Sequence, residues 1–184
     1  MNHEPMKTNL PFVAALAIAG LTAMILFAVL SAPAEADEKP GLVDYPGFLE
    51  LGKDIAAYRE TRLIDLETFN AMKADRDTII IDARSAGNHA LGHISGAVNL
   101  NFSDFSEGML AEVIGSKQHR ILIYCNNNFT DNVAPVMLKS APLALNVPTF
   151  INLYGYGYAN IYELSGEYSI EDPEIGWVTR PTYQ

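Results

Sequence analysis

The sequence predicts an α/β fold, a doubly wound domain with a central, mainly parallel sheet flanked by helices. Two runs carry most of that prediction: Thr78-Ile79-Ile80-Ile81 and Ile121-Leu122-Ile123-Tyr124. Each is short, rich in β-branched residues and bounded by polar ones, which suits a strand buried on both faces, as in a parallel sheet. Segments with helical spacing alternate with such strands from about Leu63 to Gly166, the pattern of parallel α/β architecture. Ligands of such sheets bind beyond the carboxyl ends of the strands, where this chain carries Asp82, Arg84 and Cys125.

The elements follow in order. Lys7 precedes Leu10 to Ala32, an uncharged and almost wholly apolar run ending in Ala32-Pro33-Ala34 and Ala34-Glu35-Ala36. Both triplets fit the small-x-small pattern of a signal-peptidase site, and the run is long enough to cross a bilayer as a helix. Residues 1–36 therefore read as a signal peptide or an N-terminal membrane anchor. Either route places the remainder outside the cytoplasm, in the periplasm, and a membrane is a partner only if the segment is retained. Residues 37–62, punctuated by Pro40, Gly41, Pro46 and Gly47, read as linker and lead-in, with a short helix over Ile55–Arg59. The domain is expected over residues 63–178 and a C-terminal tail over 179–184.

Inside the domain, Asp65 caps a helix through Leu66–Met72, and Asp75-Arg76-Asp77 turns the chain into the first strand, Thr78–Ile81. Ala97-Val98-Asn99-Leu100 is a second strand. Ser103 is the expected cap of a helix through Phe105, Leu110 and Ile114 that Gly115 closes. Ile121–Tyr124 follows. Met137–Ala141 is expected to be helical, and a further helix to start at Asn146-Val147, with Pro148 at its first position.

Composition narrows the function. The net charge is -10 over 184 residues, and removing Glu4, Lys7 and Glu35 with the leader still leaves 11 basic against 20 acidic side chains. Nucleic acid is excluded as an expected partner by this charge. Cys125 is the sole cysteine, so outside the cytoplasm it cannot form a disulfide within its own chain and is a candidate reactive thiol. It ends a strand and is followed by Asn126-Asn127-Asn128-Phe129-Thr130. Asn tolerates left-handed backbone, so this stretch is expected to turn sharply, aim successive N–H groups at the sulfur and lower the thiol pKa. The alternative is an inert cysteine buried at a strand end. His89 and His93 lie four apart, but Gly92 argues against a helix joining them, so no metal is expected, and no cofactor.

Four motifs in order resemble those of rhodanese domains: Asp82-Ala83-Arg84-Ser85, then Gly92-His93-Ile94-Ser95-Gly96-Ala97-Val98-Asn99, then Ile123-Tyr124-Cys125, and finally Gly157 through Gly166. The likeness runs from about Leu63 to Gly166. It implies a doubly wound domain in which Cys125 carries sulfane sulfur as a persulfide, with small sulfur-donor and thiol-acceptor molecules as partners. It places His93 in a turn near the site. The departures are as informative. The family's loop after the cysteine usually carries basic residues, a glycine and a closing arginine; here no Lys or Arg occurs from Asn126 to Asp131. Asn128 is read as standing in for the glycine with positive φ, and nothing in the loop replaces the arginine. Ser95 stands where the family has proline. Cys125 to Gly157 is longer than in a minimal domain, and the extra segment is placed as a wall of the pocket.

The candidate roles follow. Cys125 is the nucleophile. Asn126, Asn127, Asn128, Phe129 and Thr130 form the active-site loop, the asparagines acting either as substrate donors or only as turn formers. Arg84 either grips a substrate oxyanion as a planar fork or pairs with Asp82. Asp82 is structural, accepting backbone N–H bonds at the strand end. Tyr154, Tyr156, Tyr158 and Tyr162 either rim the pocket or are half-buried surface aromatics. The readings that result are a periplasmic sulfurtransferase, a binding or sensing module with a weak site, and a phosphatase. The last is disfavoured because phosphoryl transfer requires a cation that residues 126–131 do not supply. For the same reason the dianion thiosulfate is expected to be a poorer sulfur donor than a less charged persulfide or polysulfide.

Overall fold

A computed structural model describes residues 42–179. The candidate leader, residues 1–36, and the end of the tail lie outside the described residues. Among those described, no helix is long and apolar enough to cross a membrane.

Five parallel strands form the central sheet: β1 (Leu63–Ile64), β2 (Thr78–Asp82), β4 (Ala97–Asn99), β5 (Arg120–Tyr124) and β6 (Ile161–Leu164), in the order β1-β6-β5-β2-β4. A two-stranded antiparallel ribbon, β3 (His93–Ile94) with β7 (Trp177–Val178), lies apart. The helices are α1 (Tyr45–Glu60), α2 (Leu66–Lys73), α3 (Ala86–Leu91), α4 (Glu107–Ile114) and α5 (Asn146–Gly155). β5 is the central strand and is buried on both faces, as its unbroken apolar run requires. Ile121 and Ile123 enter one core with Leu110, Ile114, Phe150 and Leu153, while Leu122 and Tyr124 enter the other with Phe69, Ile94 and Phe129. The register sets Asp82 beside Tyr124 and Ile123 beside Glu163. Cys125 therefore follows the end of the middle strand, flanked by the ends of β2 and β6.

Several elements differ from expectation, each for a local reason. The lead-in contains a sixteen-residue helix rather than one turn: Asp44 caps α1 by accepting from Gly47 N, and Ile55 is buried in the core against Phe150 and Leu153. The folded unit accordingly begins at Asp44, ahead of Leu63. α4 starts after Ser106, whose Oγ accepts from Met109 N, while Ser103 sits in a 3₁₀ turn that Asn101 caps. Two capping residues three positions apart compete here, and the second wins. No helix forms over 137–141. Ala141 instead opens a 3₁₀ turn, Ala141–Leu143, with Pro142 near its start, where a missing N–H costs nothing, and asparagine side chains take the backbone groups of 137–139. α5 begins at Asn146, so that Pro148 is its third residue. α3 separates the two histidines into helix and strand: His89 lies in α3, Ser85 caps that helix and Gly92 ends it. His93 lies in β3, immediately ahead of the Ser95-Gly96 turn, rather than in the turn itself.

Candidate active site

Asp82 closes β2 and is fully buried. Its Oδ1 accepts from Arg84 N and Arg84 Nε at 3.0 and 2.9 Å; its Oδ2 accepts from Arg84 Nη2 at 2.6 Å and Tyr124 Oη at 3.0 Å and lies 2.9 Å from His89 Nδ1. Arg84 is equally buried, and its remaining donors go to Pro135 O and Gly92 O. The guanidinium is thus committed to Asp82 and two carbonyls, which removes it as a free oxyanion fork. Burial pushes the Asp82 carboxyl up, but hydrogen bonds and charge from Arg84, together with the His89 contact, outweigh burial and hold it below the usual range. His93 stacks on His89 at 3.8 Å and contacts His89 O through Nδ1. Among the described residues no three His, Cys, Asp or Glu side chains group as a metal site would require.

The loop after the cysteine is built differently from a left-handed nest. Asn126–Asn128 form a 3₁₀ turn, closed by Asn128 N donating to Cys125 O and Phe129 N to Asn126 O. Asn128 does not adopt positive φ; among the described residues Asn132, at φ 48°, is the non-glycine residue that does. Each asparagine side chain has a structural task. Asn126 Nδ2 donates to Met137 O at 2.6 Å. Asn127 exchanges two bonds with the backbone of Lys139. Asn128 Oδ1 accepts from Cys125 N, and its Nδ2 donates to Leu164 O and Gly166 O. Asn132 Oδ1 accepts from Leu138 N. Segment 137–139 is thereby held along the loop by side-chain amides, each bond worth about 1 kcal/mol net. Phe129 is a core residue, edge-on to Tyr124 and Trp177. Thr130 is exposed and bonds to Tyr168 O. Of the loop residues, Asn127 and Asn128 share a cavity with Cys125, while Asn126 lines a separate one.

What faces the sulfur comes largely from elsewhere. Leu145 at the start of α5 has no side-chain cap, so its first N–H groups need an acceptor. The backbone N–H groups of Asn146, Asn127 and Leu145 lie near the Cys125 sulfur and favour its anionic form. The sulfur thus lies by the N-terminus of α5, where the helix dipole favours negative charge. A cavity of about 270 Å³ opens here, walled by Cys125, Asn127, Asn128, Ala141, Ala144, Asn146 and Val147 with the end of β6. The extra segment is a pocket wall, as its position after the loop implies. A larger cavity of about 470 Å³ lies between the ends of β2 and β5, against Arg84, Ser85, Asn126 and Lys139, and lacks the sulfur among its walls. None of the four candidate tyrosines lines the thiol cavity.

Two residues that sequence reasoning missed share the cavity with the thiol: Arg59 of α1 and Glu163 of β6. Arg59 Nε and Nη2 bind Glu163 Oε2 and Oε1 at 2.8 and 2.6 Å, and Asn146 Nδ2 bridges Glu163 Oε1 and Asn128 Oδ1 at 3.2 Å each. A cation thus reaches the site through a partner 104 residues further along the chain, although none stands in the loop. The thiol itself is 1% exposed. Burial pushes its pKa up, the N–H groups of Asn146 and Asn127 pull it down, and the charge of Glu163 adds to the rise; the net direction is up. The expected lowering is overturned because burial outweighs the N–H groups.

A parallel five-stranded sheet with a cysteine just past the end of its central strand, near the start of a helix that no side chain caps, defines the class of the domain as α/β. The family model described as Rhodanese-like domain matches residues 65–169, more than half of the chain, and the chain belongs to that family. The family includes sulfurtransferases, and many of its members are inactive. Among solved structures, the BH2092 protein from Bacillus halodurans aligns over 60% of this chain and 74% of its own at 19% identity, with a TM-score of 0.42. No curated protein matched.

Proposed function

We propose that the protein is a sulfurtransferase that carries sulfane sulfur as a persulfide on Cys125, and that it works in the periplasm. The observation that carries this reading is the place of Cys125, at the end of the central strand and on the wall of an open cavity that the uncapped start of α5 also lines, where the N–H groups of Asn146, Asn127 and Leu145 favour an anionic sulfur. Donors of this kind stabilise an anionic sulfur without a proton transfer. In the loading step the Cys125 thiolate attacks the outer sulfur of a persulfide donor. A new S–S bond forms on Cys125, the donor's own S–S bond breaks, and its electron pair leaves with the donor thiolate. The bound sulfur lies about 2 Å beyond the cysteine sulfur, which moves the negative charge from the buried position toward the cavity. The export reading rests on the apolar run and the two small-x-small triplets before residue 37.

Intact mass after incubation with a polysulfide tests the chemistry. The expected result is a gain of one sulfur atom, lost on adding cyanide as thiocyanate departs, and absent in Cys125→Ser. No gain from a polysulfide or thiosulfate would favour the second reading, a binding module with a weak site, which the raised thiol pKa supports. For location, protein recovered from a periplasmic extract should start near residue 35 or 37, or keep its N-terminus in the inner-membrane fraction. Recovery with Met1 intact from the cytosol would remove the export reading.

A further inference from the structure

Arg59 and Glu163 form an ion pair whose two halves are unequally presented. Glu163 has 6% of its side chain exposed against 29% for Arg59. Both oxygens of Glu163 are occupied, Oε2 by Arg59 Nε and Oε1 by Arg59 Nη2 and Asn146 Nδ2. Arg59 Nη1 has only the exposed Glu60 carboxylate nearby, at 3.6 Å. A molecule entering the cavity therefore meets the Arg59 guanidinium on the same wall set as Cys125, Asn127 and Asn146. The carboxylate that cancels the charge on paper is turned inward and saturated.

We propose that Arg59 is the anion-recognition residue of the Cys125 cavity, and that the molecules which bring sulfur to Cys125 or take it away carry an oxyanion group that docks on its guanidinium. The proposal deepens the sulfurtransferase reading and rests on Cys125 being the reacting group of this cavity. A guanidinium edge accepts carboxylate and sulfur oxyanions alike, so the group belongs either to an organic acid bearing the thiol or to a sulfur oxyacid such as thiosulfate. The expectation that the pocket repels an anionic donor for want of a cation is reversed at this point: α1 delivers what the loop lacks.

Thiol-directed reagents read this without any sulfur transfer. Iodoacetate and neutral iodoacetamide both form an S–C bond with Cys125 and expel iodide, and they differ in one carboxylate. The 2-sulfonatoethyl and methyl methanethiosulfonates both form an S–S bond and expel methanesulfinate, and they differ in one sulfonate. The ratio of anionic to neutral rate is measured for each pair in the full chain, in Arg59→Gln, and in Arg59→Gln/Glu163→Gln. The double variant removes both charges of the pair together, so it avoids stranding a buried carboxylate. The proposal expects the ratio to fall about tenfold in both variants, the size of one screened contact charge, for the carboxylate pair, the sulfonate pair or both. A fall confined to one pair identifies that oxyanion class. If Arg59 serves only to anchor α1 to Glu163, the double variant leaves both ratios unchanged, and that result overturns the proposal. A cysteine that gains no sulfur yet shows the Arg59-dependent ratio would defeat the sulfurtransferase reading and leave the recognition site standing.

Discussion

Five contacts converge on the two oxygens of Asp82, four from the buried Arg84 and Tyr124 and one from the part-buried His89 of α3. Asp82→Asn keeps the shape but strands the Arg84 guanidinium, which is buried and has no other anion. Removing one partner of a buried pair costs about 3–5 kcal/mol. Chemical denaturation should show a loss of that size, while a change under about 1 kcal/mol would mean that Pro135 O and Gly92 O suffice for Arg84. The pH dependence has a definite sign. The folded carboxyl titrates below its unfolded value, so its stabilisation is complete above about pH 4 and disappears as pH falls through the lower, folded value. The wild type should lose stability over that acid range more steeply than Asp82→Asn.

At the scale of elements, α1 is the piece whose importance was least visible. Two Pro-Gly pairs precede or open it, so it reads as a lead-in; only the tertiary structure shows Ile55 and Tyr58 packed on Phe150 and Tyr154 of α5. Ile55→Ala should cost about 2–5 kcal/mol by transfer and cavity terms. A chain truncated to begin at Leu63 should unfold at a markedly lower temperature and lose the cation of the thiol cavity; an unchanged melting temperature would make α1 dispensable. What was legible was strongly periodic or uniformly apolar: β2, β5, the capped α2 and the order of the four motifs. What was not legible depended on competition or distance. Ser103 and Ser106 are equally good caps by type, and the asparagines after Cys125 look like a left-handed turn until their amides are seen bonded to Met137, Lys139 and Leu164. Arg59 gave no signal at all, since its partner lies on a strand 104 residues away.

Over the whole molecule the net charge of -10 repels anions at long range, whereas Arg59 acts at contact distance. The Debye length is about 30 Å at 0.01 M salt and about 8 Å at 0.15 M, so added salt screens the distant repulsion more than the local attraction. Alkylation of Cys125 by iodoacetate should therefore accelerate as salt rises between those concentrations, with iodoacetamide as the flat control. A rate that falls with salt would mean that the near cation already dominates at low ionic strength. The pairing of α1 with β6 also has a consequence for how the site comes into being during synthesis. Contacts between residues about a hundred positions apart are slow to form because a long loop must close first. A nascent chain presents Arg59 early and Cys125 much later, and neither meets its neighbour until Glu163 has emerged. A polypeptide interrupted between Cys125 and Glu163 owns a thiol but no recognition edge beside it, so discrimination among small molecules is a property of the finished chain, acquired in the last stages of its making.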